Sequence, residues 1–150
     1  MSETRKPDSP TTARQVARQN EGLPDRDPAI RTLAMPADSN ANGDIFGGWL
    51  MAQMDLAGAV AAIRRAGGRV ATVAVDAMEF HRPVMIGDLL SCYATVVKIG
   101  RTSLAIDIES WVQRRHSGKA EKVTQGRFTY VAIDEAGRPR PVPKDGEAEE

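Results

Sequence analysis

The stretch GGWLMAQMDLAGAVAAIRRAGG, Gly47 to Gly68, decides the fold. Trp49, Leu50, Met54, Ala57, Val60 and Ala61 recur at helical spacing, and the Gly67-Gly68 pair ends the pattern. Ala52, Ala57, Gly58, Ala59, Ala61 and Ala62 leave this helix apolar or small nearly all round. A helix without a wide polar face is expected to be buried, and its small side chains let a surrounding sheet approach closely. Just ahead of it, NANGDIF (Asn40 to Phe46) carries a turn-forming Asn-Gly pair and a single acid, Asp44.

Outward from the helix, the pattern changes to strands. IRTLAM (Ile30 to Met35) alternates weakly and reads as a short first strand. After the helix, RVATVAVDAMEF is a nearly continuous β-rich run, followed by DLLSCYATVVKI, which ends at Gly100. TSLAIDIESWVQ sets Leu104, Ile106 and Ile108 against Asp107 and Glu109. KVTQGRFTYVAID sets Phe128, Tyr130 and Ala132 against Arg127, Thr129 and Val131. Strands joined by short turns are expected to run antiparallel. The order predicts an α+β domain, one long helix on a curved antiparallel sheet of about five strands. Such a sheet has two edges, and pairing one with a second copy would remove it.

At 150 residues the chain fits one domain with one core. Residues 1–28 are polar and proline-broken and read as a tail, 29–143 as the folded domain, and 144–150 as a solvated acidic tail. Acids and bases balance at 20 each, so no global field favours nucleic acid or an anionic membrane. The Arg64-Arg65 and Arg114-Arg115-His116 clusters read as solvated charge and, without aromatic interleaving, argue poorly for nucleic acid. The longest mostly apolar run, Ile45 to Ile63, is interrupted by Gln53, Asp55 and three glycines, unlike a membrane span. No signal-peptide core stands in the first twenty residues, and the single cysteine, Cys92, suits a reducing compartment. The expected location is cytoplasmic.

Familiar catalytic devices are missing. There is no G-x-S-x-G elbow, P-loop or dinucleotide glycine pattern. His81 and His116 have no metal-ligand spacing with Cys or carboxylate partners. Cys92, Trp49 and Trp111 read as packing residues. No metal or cofactor is expected. Asp44 has two readings from its surroundings alone: a turn or capping residue ahead of a helix, or a carboxylate aimed at a ligand.

Two stretches together carry a family resemblance. RTLAMPADSNANGDIFGGWLMAQMD and VDAMEFHRPVMIGDLL closely resemble the hotdog-fold acyl-CoA thioesterases, in particular the short bacterial YciA-like type. KIGRTSLAIDIESWV and FTYVAIDEAGRPRPVP agree as well, so the resemblance covers about Arg31 to Pro143. It implies a long central helix wrapped by an antiparallel sheet, hydrolysis of acyl-coenzyme A to a fatty acid and CoA, and a dimer with a continuous sheet. It also implies a trimer of such dimers, a hexamer, with active sites between protomers and no metal.

Asp44 matches the position of the family's catalytic carboxylate, acting as general base on water or as the attacking nucleophile. The start of a buried helix supplies unpaired N–H groups for an oxyanion, and Gly47 and Gly48 stand there. Asn42, and secondarily Asn40, could hold the carbonyl or the water. CoA's phosphates call for cations and polar donors, for which Arg82 and the KIGRTS turn (Lys98, Arg101, Thr102, Ser103) are candidates. Gly87-Asp88 reads as structural, Asp76 and Glu79 as low-grade candidates, and Asp55 as a structural acid needing an Arg or backbone N–H partner. His81 is given no catalytic role.

Two rival functions remain in view. One is a non-enzymatic acyl-CoA sensor on the same fold, against which stands the lack of room for a DNA-binding appendage in residues 1–27. The other is an enoyl hydratase or dehydratase, which needs a histidine near the central helix, where none stands.

Overall fold

A computed structural model describes residues 22–145. The expected tails, 1–28 and 144–150, fall mostly outside the described residues. Within them, Arg26 lies against the sheet: its guanidinium sits 5.3 Å from the Tyr93 ring centroid and donates to Thr95 Oγ1.

Five strands form one sheet: β1 (Ile30–Leu33), β2 (Val70–Phe80), β3 (Leu89–Ile99), β4 (Ser103–Gln113) and β5 (Ala120–Ala132). All pairs are antiparallel and the order is β1-β3-β4-β5-β2. One long helix, α1 (Gly47–Ala66), lies across one face. The strand alternation places Leu104, Ile106, Ile108 and Val112 in the core with Phe128, Tyr130 and Ala132 from β5. From the helix, Leu50, Met54, Ala57, Gly58, Ala62 and Ala66 complete it. Each large side chain fully buried here contributes on the order of 1.5–3 kcal/mol before entropy is counted.

Gly58 has a specific reason. A Cβ there would stand 2.2 Å from the Tyr130 hydroxyl and 2.7 Å from Ile108 Cδ1, so β4 and β5 come this close to the helix because no side chain stands there. This is the close approach expected of the small-residue run.

Three features differ from the sequence expectation. First, consecutive β2 and β3 are not neighbours: β2 pairs with β5, and residues 81–88 carry the chain across. Local patterning names strands but not their order. Second, α1 is buried on one side only, with Leu56, Val60 and Ile63 exposed. A single five-stranded sheet cannot enclose a helix. Third, the apolar run of β2 is bulged between Thr72 and Ala74 and between Asp76 and Glu79, with Ala77 at φ +50°. Bulges turn an edge strand away from flat pairing, and β2 and β1 are the two edges. No helix among the described residues is long and apolar enough to cross a membrane.

Candidate functional site

The loop that enters α1 is shaped by its own side chains. Asn40 Oδ1 accepts the backbone N–H of Asn42 (2.9 Å) and of Asp44 (3.2 Å), closing a turn in which Gly43 takes φ +84°. Asn40 N–H in turn donates to Asp44 O at 2.7 Å. Asp44 then pairs across a single antiparallel bridge with Met85, and Ile45 N–H donates to Val84 O (3.0 Å). Backbone bonds thus hold Asp44 on both sides. Its carboxylate, half-buried, has no hydrogen-bond or ionic partner among the described residues.

Asp44 is not the helix cap. The N-cap is Phe46, whose side chain cannot accept a hydrogen bond, and no side-chain cap exists. Phe46 N–H donates to Asp38 O, and the first helical acceptor bonds begin at Trp49 and Leu50, both to Phe46 O. The N–H groups of Gly47 and Gly48 have no acceptor among the described residues and both residues are exposed. Each unpaired N–H sits at the positive end of a 20-residue helix. An anion, or an oxygen acquiring negative charge, is favoured there.

Neither glycine is required by the backbone, since neither has positive φ. A Cβ on Gly48 would meet nothing within 4 Å, and one on Gly47 would make ordinary contact with the Phe80 ring at 3.6 Å. Their lack of side chains opens the approach to the N–H groups. Phe46 and Phe80 are about half exposed beside them, giving this end an apolar wall for a chain-like group.

The other expected site residues separate into two groups. Arg82 follows β2, and its Nη1 is engaged by Glu121 Oε1 at 2.9 Å. Arg101 and Thr102 lie in the β3–β4 turn, with Lys98 near the end of β3 and Ser103 at the start of β4, and Gly100 N–H closes it on Ser103 O (2.8 Å). That turn borders a depression lined by Arg65 and residues 141–145, at the C-terminal end of α1. A helix of this length spans about 30 Å, so within one chain Asp44 and this turn stand at opposite ends.

Two clusters escaped the sequence reading. The expectation that Arg114 is solvated is wrong. Its Nη1 donates to the fully buried Asp88 and to Pro83 O (2.9 Å), and its Nε to Glu121 Oε2 (2.8 Å). Burial works against the guanidinium charge, but the bonds to Glu121 and Asp88 outweigh it and raise the pKa. The hydrogen bond from Arg114 in turn holds Glu121 below the usual carboxylate range. The irregular link after β2, residues 81–88, hid this, because it returns the chain past the far end of β4.

Asp55 forms the second cluster, with hydroxyl partners rather than the expected Arg or backbone N–H. Thr72 Oγ1 donates to its Oδ1 (2.6 Å), and the Tyr130 hydroxyl lies 2.7 Å from the Asp55 backbone O and 3.0 Å from Oδ1, its proton shared between them. Burial, reinforced by the Asp55 charge, pushes the Tyr130 hydroxyl well above its usual range, so it stays a donor. Only the register of β2 against β5, which sets Thr72 opposite Tyr130, brings these residues together.

Cys92 is buried against Ser110 (Sγ–Oγ 3.4 Å), and desolvation pushes its thiol up to about 11, so it is no nucleophile near neutral pH. His81 is exposed beside Glu79 at 3.6 Å. Among the described residues no group of three His, Cys, Asp or Glu side chains is placed to hold a metal ion.

An α1 end with open N–H donors, a loop carboxylate beside it and the β1-β3-β4-β5-β2 sheet define a class of protein. A family model described as the thioesterase superfamily matches residues 42–119. The chain belongs to that superfamily, and it is similar to the acyl-CoA thioester hydrolase YciA of Salmonella typhimurium. The two are 54% identical over 129 residues, covering 84% of this chain and 97% of that protein.

Solved structures agree. The hexameric thioesterase y2039 from Yersinia pestis matches with a TM-score of 0.77 at 54% identity, covering 81% of this chain and 100% of that one. Cj0915 of Campylobacter jejuni, a hexameric hotdog fold thioesterase, matches with a TM-score of 0.76 at 40% identity, covering 79% and 91%. The fold is therefore the hotdog fold.

Proposed function

We propose that this chain is an acyl-CoA thioester hydrolase in which Asp44 activates the attacking water. The observation that carries the reading is the unpartnered Asp44 carboxylate beside the two open N–H groups that begin α1. Water attacks the thioester carbonyl carbon while Asp44 accepts its proton. The carbonyl oxygen gains negative charge against the Gly47 or Gly48 N–H. The C–S bond then breaks, the CoA thiolate takes a proton, and a fatty acid is released. A direct attack by Asp44, giving a mixed anhydride that water opens, uses the same geometry. Asn42, exposed on the turn, is the side-chain amide that steadies the water or carbonyl. No metal or cofactor takes part, CoA being part of the substrate, and the enzyme works in the cytoplasm.

The active form is a homo-oligomer, a trimer of dimers. Val73, Val75 and Phe80 on edge strand β2 and Leu56, Val60 and Ile63 on α1 are exposed apolar side chains that a second copy would cover. Antiparallel pairing of two β2 edges sets one α1 beside the other in reverse. The partner's Lys98–Ser103 turn then faces the same end as Asp44, where it and Arg82 can meet the CoA phosphates.

The test is thiol release from acyl-CoAs of graded chain length by wild type and Asp44→Ala. General-base loss predicts a drop on the order of 10²–10⁴ in an intact oligomer. Near wild-type turnover by Asp44→Ala would sink the assignment. Tight acyl-CoA binding by the wild type without thiol release would indicate a sensor instead.

A further inference from the structure

We infer that Arg114 is a positioning residue for Asp44, acting through the turn at residues 83–88. This inference rests on the hydrolase reading above. The chain of contacts is short and complete. Arg114 Nη1 bonds both Pro83 O (2.9 Å) and Asp88 Oδ2, the two ends of the turn. Asp88 Oδ2 also accepts the Met85 N–H (2.8 Å), and Asp88 N–H donates to Met85 O (3.1 Å). Met85 is the residue bridged to Asp44, and Val84 O holds the Ile45 N–H at 3.0 Å. Asp88 O and Ala34 O tie the same turn to the chain after β1, through Ala34 N–H (3.0 Å) and Gly87 N–H (2.8 Å).

Among the described residues, Asp44 bridges to the turn at 83–88 through Met85 alone, and that bridge is isolated, outside every named strand. Beyond Asn40 on its own loop, the position of the Asp44 backbone therefore depends on a turn that backbone bonds tie to Ala34 and whose two ends one guanidinium clamps together. The planar fork suits that task, since it meets Pro83 O, Asp88 and Glu121 at once. A lysine could satisfy only part of it. Glu121 Oε2 takes the Nε side of the fork (2.8 Å), anchoring it to the start of β5.

A displaced carboxylate should lower turnover while leaving ligand affinity unchanged, because misplacement near 1 Å can cost about a hundredfold. The experiment measures kcat and KM for acyl-CoA, with thermal midpoint and oligomeric state, in Arg114→Lys, Asp88→Asn, Arg114→Met and the double variant Arg114→Met/Asp88→Asn. The double variant removes the stranded Asp88 charge and so guards against simple misfolding.

The expected result is a kcat loss of roughly tenfold to a hundredfold in the Met variants. KM should stay near wild type, Arg114→Lys and Asp88→Asn should be intermediate, and the oligomer intact. Wild-type kcat in the folded variants, or a raised KM at unchanged kcat, overturns the inference. If the Met variants do not fold, wild-type kcat in both Arg114→Lys and Asp88→Asn overturns it equally. Asp44→Ala is run beside them. Should it lose activity while the Arg114 variants keep theirs, only the positioning role fails. Full activity in Asp44→Ala would instead remove the catalytic role of Asp44 on which the positioning role rests.

Discussion

The two ends of α1 differ in how completely they are closed. At the C-terminal end Gly67 takes φ +70°, its N–H and that of Gly68 both return to Ile63 O, and Arg140 Nη1 donates to Ala66 O at 3.0 Å. Arg65 then reaches Pro143 O at 2.6 Å, binding the last described segment to the helix. At the N-terminal end an apolar Phe46 holds the cap position and two glycine N–H groups stay open. Both ends face the same requirement, since each leaves four backbone groups unpaired. One is closed by the chain itself. The other stays open three residues after Asp44, and in the proposed reading it receives the substrate carbonyl.

The strongest test of that contrast alters the glycines at the open end. Gly47 and Gly48 are needed neither for φ nor for room, so Gly47→Ala/Gly48→Ala should keep the oligomer and leave the thermal midpoint equal or higher. Ala gains up to ~1 kcal/mol over Gly in a helix interior and less at its start. Activity should nonetheless fall on the order of a hundredfold, because the two methyls stand in the way of a carbonyl approaching N–H groups that remain in place. An Ala pair with wild-type kcat would show that the side-chain-free approach to these N–H groups is not needed. Gly58→Ala should do the reverse. The helix gains propensity, but the new methyl overlaps the Tyr130 hydroxyl, and overpacking at about 1–3 kcal/mol outweighs it. A lowered denaturation midpoint is the expected reading.

At the closed end, Arg140→Met should cost about 1–2 kcal/mol, since Ala66 O and Ile133 O each lose a hydrogen bond. Turnover should not change, because this end supplies no group to the same chain's Asp44. A kcat loss in an otherwise stable Arg140→Met protein would break the division of labour between the ends.

How much of this was legible beforehand follows from the range over which each contact acts. The helix, all five strands and the inward faces of β4 and β5 were readable because alternation and helical spacing are local. Asp44, Gly47 and Gly48 were singled out from a turn-acid-glycine string within nine residues, with family resemblance tipping the choice from capping to catalysis. Phe46 as cap was not foreseen, because an apolar cap breaks the usual preference for Ser, Thr, Asp or Asn. Arg114 was misread since its partners Pro83 and Asp88 lie 31 and 26 residues away. The Asp55–Thr72–Tyr130 cluster was missed for the same reason: its register across β2 and β5 is set by bulges that no period reveals.

The smallest effect expected is also the one that joins the two ends in a single measurement. Phe46→Ser would give α1 the side-chain cap it lacks, an oxygen able to accept the Gly48 or Trp49 N–H. A new cap should stabilise the protein by about 0.5–1 kcal/mol, measured as a rise in the denaturation midpoint. The same oxygen competes with the substrate carbonyl for that N–H, so kcat should fall as stability rises. Phe46→Ala separates this from loss of the ring, which is half exposed and forms part of the apolar wall. The alanine variant removes the ring without adding an acceptor, so it should raise KM for long acyl chains and leave kcat closer to wild type. If serine and alanine lowered kcat alike, the ring would be what matters. If serine alone lowered it, the open N–H groups are held open for chemistry at a cost in stability that the C-terminal end of the same helix does not bear.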